Sequence, residues 1–116
     1  MKKEWLVGFA SMLAVTLGAC ASSSTFLASK NGTGYYLGSS SNAAYRMFCE
    51  SGDLQKILAG TQLPAETKDE LYRSNCGPER SKERVRQIYA AITPAQRKDL
   101  RLAFRNNGYD INYLPC

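Results

Sequence analysis

The feature that most limits what this chain can fold into lies at its start. Met1-Lys2-Lys3 precede an apolar run from Trp5 to Leu17, and small residues then lead to Cys20. A short positive stretch, a short apolar stretch and small residues before a cleavage point are the parts of a secretory signal peptide. A spanning helix needs about 20 apolar residues. This run stops after 13 and contains Gly8, Ser11 and Thr16. Removing residues 1–19 leaves fewer than 100 of the 116 residues to build a core. A domain of that size buries a modest fraction of its surface, so a covalent staple or a partner adds materially to its stability.

Leu17-Gly18-Ala19-Cys20 resembles the lipobox of bacterial lipoproteins, a likeness that covers only the first 20 residues. It implies that the Cys20 sulfur takes a diacylglycerol, that a peptidase cuts before Cys20, and that a palmitate-like chain often acylates the new amine. One acyl chain binds a bilayer marginally, and two or three hold firmly, at about 0.8 kcal/mol per buried CH₂. In that family an aspartate after the lipidated cysteine favours the inner membrane. Ala21 stands there instead, which points to the outer membrane with the domain facing the periplasm. A plain signal peptide releasing a soluble protein fits less well, because Leu17-Gly18-Ala19 is a poor Ala-x-Ala site.

Composition narrows the chemistry. The chain has no histidine, which removes the commonest general base, the commonest metal ligand and every Ser-His or Cys-His nucleophile. No haem, zinc or phosphate-loop motif is present, so no cofactor and no metal is expected. The four cysteines then need accounting. With Cys20 lipidated, Cys49, Cys76 and Cys116 remain in a compartment that permits disulfides. Cys49–Cys76 is the first choice, since both fall in or beside predicted helices; Cys76–Cys116 and Cys49–Cys116 stay open. The unpaired third cysteine is inert, bridged to another chain, or reactive. As the last residue, Cys116 makes most sense tied to something, because free chain ends are mobile.

Three segments follow: 1–19 as signal peptide, 20–41 as a lipidated Ser/Gly-rich tether, and 42–116 as a small helical domain. The tether has linker composition, interrupted by Thr33-Gly34-Tyr35-Tyr36-Leu37, a candidate extended piece that packs on the domain or adds to a partner's sheet edge. Asn31-Gly32-Thr33 matches a glycosylation acceptor, which carries little weight in a bacterial lipoprotein. Beyond the tether the signals are helical. Asn42 is a candidate cap for a helix carrying Ala44, Met47 and Phe48, and Leu54, Ile57 and Leu58 mark a second that ends at Gly60. Pro64 suits a first helical position before Leu71 and Tyr72, with Gly77-Pro78 as the stop. Val85, Ile88, Tyr89 and Ile92 fall at i, i+3, i+4 and i+7, the stripe of a core-facing helix. Thr93-Pro94-Ala95-Gln96 is a capping box, and the last helix packs through Leu100, Ala103 and Phe104 before Asn106-Asn107-Gly108. Tyr109, Ile111, Tyr113 and Leu114 read as a tail folded back over the core. The expected fold is all-α: a bundle of four or five short helices behind a flexible tether, with one disulfide.

The charges suggest a working surface. The chain without residues 1–19 keeps a net charge near +4. Arg97, Arg101 and Arg105 recur every fourth residue, with Lys98 and Leu102 beside them, and are the candidate partner-binding residues. Arg80, Lys82, Arg84 and Arg86 add charge upstream, offset by Glu79 and Glu83. The plain account of such charge is a solvated face; the functional one is contact with an acidic protein, lipid headgroups or an anionic envelope polymer. Nucleic acid fits less well, because no aromatic-basic recognition motif is present. Glu50, Asp53, Glu66, Asp69 and Glu70 are the carboxylates available for acid–base work, but ordinary helix and turn roles account for them, so no catalytic residue and no enzyme activity is expected. The resulting expectation is a non-enzymatic, membrane-anchored accessory component of a larger envelope assembly of the secretion, conjugation or pilus kind. A barrier lipoprotein of the surface-exclusion kind, or a free-standing lipoprotein touching lipid or peptidoglycan, are the alternatives.

Overall fold

The structure, a computed structural model, describes residues 25–114. The lipobox, Cys20 and Cys116 lie outside the described residues. Strand β1 (Thr25–Lys30) turns into β2 (Thr33–Tyr36), followed by helix α1 (Asn42–Tyr45), which continues as a π-helical stretch (Arg46–Glu50). Helices α2 (Asp53–Ala59), α3 (Ala65–Cys76), α4 (Lys82–Ala91) and α5 (Pro94–Asn106) come next, and strand β3 (Asp110–Leu114) closes the order.

The all-α expectation is therefore corrected. A three-stranded antiparallel sheet in the order β2-β1-β3 accompanies the helices. Part of the presumed tether is the hairpin β1–β2, and the tail is its third strand. The turn explains the hairpin. Asn31 and Gly32 adopt φ of 55° and 82°, the two positive values of the two-residue turn whose twist matches that of its strands. The structure uses Asn31-Gly32 as a turn. Along β1, Phe26 and Ala28 are buried while Leu27 and Ser29 are only half-buried, the alternation of a strand with one face on a core. The pairing Thr25↔Leu114 through Ser29↔Asp110 joins the two ends of the described chain.

The helices follow their local signals in part: Pro64, expected at the first helical position, is the cap residue before Ala65. Ser41, not Asn42, caps α1, its hydroxyl accepting from the Ala43 and Ala44 amides at 3.1 and 3.3 Å. Ser81 caps α4. At α5 the capping box forms in full: the Thr93 hydroxyl accepts from the Gln96 amide at 3.1 Å, and the Gln96 side chain accepts from the Thr93 amide at 2.9 Å. Leu71 is buried, whereas Tyr72, expected on the same face, is exposed.

Helix α4 packs on β1, and α5 packs on α2 and β3. Phe26, Phe48, Leu54, Ile57, Val85, Leu100, Phe104 and Tyr109 fill the space between them. Gly38 joins the hairpin to the helices. Its φ is 84°, and a Cβ there would lie 2.4 Å from the Ser81 carbonyl oxygen, so no larger residue fits. The buried Asn75 side chain accepts from the Gly38 amide at 2.7 Å and donates to the Leu71 carbonyl at 2.8 Å, tying the strand exit to α3. Of the three open cysteine pairings, the structure contains Cys49–Cys76. It clips the π-helical stretch to the last residue of α3 across a separation of 27 residues. Closing a loop of that length removes about 3.5 kcal/mol of chain entropy from the unfolded state.

Candidate interaction surface

The charged face of α5 has two kinds of arginine. Arg97 is half-buried. Its Nε donates to the Tyr89 carbonyl at 3.0 Å and a terminal nitrogen donates to the Ala90 carbonyl at 3.2 Å, while the guanidinium lies 5.6 Å from the Tyr89 ring centre. These are among the last carbonyls of α4, which lack partners within their own helix. A cation placed there satisfies them and complements the helix dipole. Arg97 is thus part of the scaffold.

Lys98, Arg101, Leu102 and Arg105 form a separate stripe at i, i+3, i+4 and i+7, opposite the buried Leu100, Ala103 and Phe104. All four are exposed, Leu102 to 42%. Arg101 donates to the Tyr89 hydroxyl at 3.1 Å, and Tyr89 in turn stacks on Phe26 with ring centres 4.0 Å apart. Among the described residues no carboxylate pairs with Lys98, Arg101 or Arg105. Asp99, the acid nearest in sequence, is turned to another face and accepts from the Gln62 amide at 2.7 Å. The stripe therefore holds three cations and one leucine, with no acid.

The upstream cations are engaged differently. Arg80 lies over the Tyr45 ring and Lys82 over the Tyr36 ring, at 5.1 and 5.4 Å. Arg84 pairs with Glu70, and Arg86 with Glu83. The Arg86 contact holds the exposed Glu83 carboxyl below its ordinary range. An open groove of about 510 Å³ between α3 and the start of α4 is lined by Arg73, Arg80 and Arg84 together with Glu70 and Glu79, so its charges largely cancel.

The remaining carboxylates scatter. Glu50 and Glu66 are exposed, and Asp69 pairs with Arg73 at 2.8 Å. Asp53 enters a network that the sequence did not announce. The Tyr109 hydroxyl, 56 residues away, donates to its Oδ2 at 2.8 Å, and Lys30 donates to the same oxygen at 3.3 Å. Burial raises the Asp53 pKa, but the donors Tyr109 and Lys30 and the charges of Lys30 and Lys56 outweigh it and leave the pKa below the ordinary carboxylate value. Burial, and then the Asp53 carboxylate, push the Tyr109 pKa far above the usual phenol range. An open cleft of about 490 Å³ lies over this network, lined by Lys30, Tyr35, Arg46, Met47, Asp53 and Tyr109 among others. No short-range pattern could have revealed the network, because its members come from β1, α2 and the turn before β3.

Among the described residues no group of three or more acids or cysteines is placed to hold a metal ion, and no helix is long and apolar enough to cross a membrane. No protein-family model, curated protein or solved structure matches the chain significantly, so its surface chemistry and its N-terminal sequence carry the functional argument.

Proposed function

We propose that this protein is a lipid-anchored, non-catalytic accessory component of a bacterial envelope assembly, held at the outer membrane with its domain in the periplasm. The observation that carries the reading is Leu17-Gly18-Ala19-Cys20 directly after a short apolar run behind two lysines. The Cys49–Cys76 bridge supports export, because structural disulfides belong to oxidising compartments. The acid-free stripe on α5 supports a binding role, since it offers an anionic neighbour three exposed cations that pair with no carboxylate among the described residues.

The anchor is tested by replacing Cys20→Ser and comparing intact mass and membrane fractionation with the parent. The parent is expected to begin at Cys20 and carry acyl chains, and the variant to remain unprocessed or leave its membrane. Identical processing and fractionation would sink the anchor. The subunit role is tested by non-reducing affinity purification from solubilised membranes. A discrete co-purifying assembly is expected; a lone acylated monomer would refute it.

A further inference from the structure

We infer that the α5 stripe of Lys98, Arg101, Leu102 and Arg105 lies against anionic phospholipid headgroups of the membrane that holds the protein. The inference rests on the lipid-anchor reading and names the neighbour of the stripe.

Two observations carry it. The first is the length of chain between anchor and fold. Cys20 lies five residues before Thr25, where β1 begins. At 3.3–3.6 Å per residue this connection spans at most about 18 Å. A flexible tether reaching to residue 41 would have let the domain stand well clear of the bilayer; the hairpin removes that freedom. The start of β1 stays within roughly two Debye lengths of the headgroups at physiological salt. The second observation is where the stripe begins. Phe26, the second residue of β1, stacks on Tyr89, and the Tyr89 hydroxyl accepts from Arg101. The basic face is thus two side-chain contacts from the strand that leads to the anchor.

Charge and shape agree with this placement. The 13 residues of α5 make a rod of about 20 Å, comparable with the reach of the connection, so the helix can lie along the surface. Three cations without an acid among them match a surface of phosphates. Leu102 between them is an apolar residue of the kind that enters the headgroup boundary beside basic neighbours. On the lipid-anchor reading acyl chains hold the protein on the membrane, so the stripe adds orientation.

The test uses the full-length protein, processed in cells, purified in detergent and reconstituted into phosphatidylcholine vesicles with or without phosphatidylglycerol. The sole tryptophan, Trp5, lies before the cleavage point, so Leu102→Trp gives the mature chain a single fluorescent reporter on the stripe. Lipids brominated near the headgroup are expected to quench this reporter strongly when phosphatidylglycerol is present and weakly when it is absent. Each basic residue near an anionic surface favours docking about five-fold, so adding Lys98→Gln, Arg101→Gln and Arg105→Gln lowers the docked-to-free ratio on the order of 100-fold. Weak quenching with both lipid compositions, in protein whose mass shows acyl chains on Cys20, would overturn the docking and leave the anchor standing. Protein whose mass shows no acyl chains would overturn both. Quenching that is absent in vesicles, with the reporter shielded by a co-purifying protein, would assign the stripe to that protein and overturn the lipid contact.

Discussion

Lys30 on β1 and Arg105 on α5 are both cations, yet the molecule treats them in opposite ways. Lys30 is half-buried, pairs with Asp53 at 3.3 Å and lies 5.2 Å from the Tyr109 ring centre. The Asp53 oxygen that binds it also accepts from Tyr109, so each polar group in that network has a partner. Arg105 stands exposed in a row of like charge with no acid beside it. A satisfied network specifies one packing of β1, α2 and β3. In the row without acids only Arg101 has such a tie among the described residues, to the Tyr89 hydroxyl, and like charges at i, i+4 destabilise an isolated helix by a few tenths of a kcal/mol per pair. One region is built for the protein's own interior, the other for something outside it.

The largest expected break in this contrast is Tyr109→Ala. Tyr109 is 1% exposed and packs on Phe48 and Phe104, so its loss is expected to cost about 3–5 kcal/mol. Denaturant titration measures it; a loss under 1 kcal/mol would show that the packing is not rigid. Acid sharpens the same region. Because the folded-state pKa of Asp53 lies below the ordinary 3.8, its stabilisation is present above that value and is lost as pH falls through the folded-state pKa. The gap in melting temperature between the parent and Asp53→Asn is therefore expected to be constant above about pH 5 and to narrow below about pH 4. A gap that ignores acid would place the Asp53 carboxylate outside the network.

The two kinds of arginine on α5 separate with smaller effects. Arg97→Ala leaves two carbonyls of α4 without their donor and is expected to cost about 1–2 kcal/mol. Arg105→Gln relieves repulsion with Arg101 but removes a cation from the last turn of α5, so the two small terms oppose and stability is expected to change by less than about 0.5 kcal/mol. Chemical denaturation of both variants measures the difference. Equal losses would mean that Arg105 is as much part of the scaffold as Arg97.

Helical features were the most legible in the sequence. Thr93-Pro94-Ala95-Gln96 marked the start of α5, and the periodicity of Val85, Ile88 and Ile92 marked the buried side of α4. The same periodicity placed Arg97, Arg101 and Arg105 in a row, but did not show that Arg97 would be drawn onto the end of α4. Asn31-Gly32 carried a hairpin signal inside a segment whose Ser and Gly content reads as a linker.

The sequence alone determined much of what depends on neighbours within about a turn of chain: the capping box of α5, the buried faces of α4 and α5, the breaks at Gly52 and Gly60, and the run that ends at Cys20. Helix hydrogen bonds reach only four residues along the chain, so a local pattern suffices to specify them. Tertiary structure decided what joins distant residues. Thr25 faces Leu114 across the sheet, Tyr109 finds Asp53, and Cys49 selects Cys76. A strand's pattern says that one face must be buried but does not name the strand beside it, and three cysteines permit three pairings until packing brings two together. The physical reason is that those contacts require loop closure across tens of residues, which only a shared core can offset.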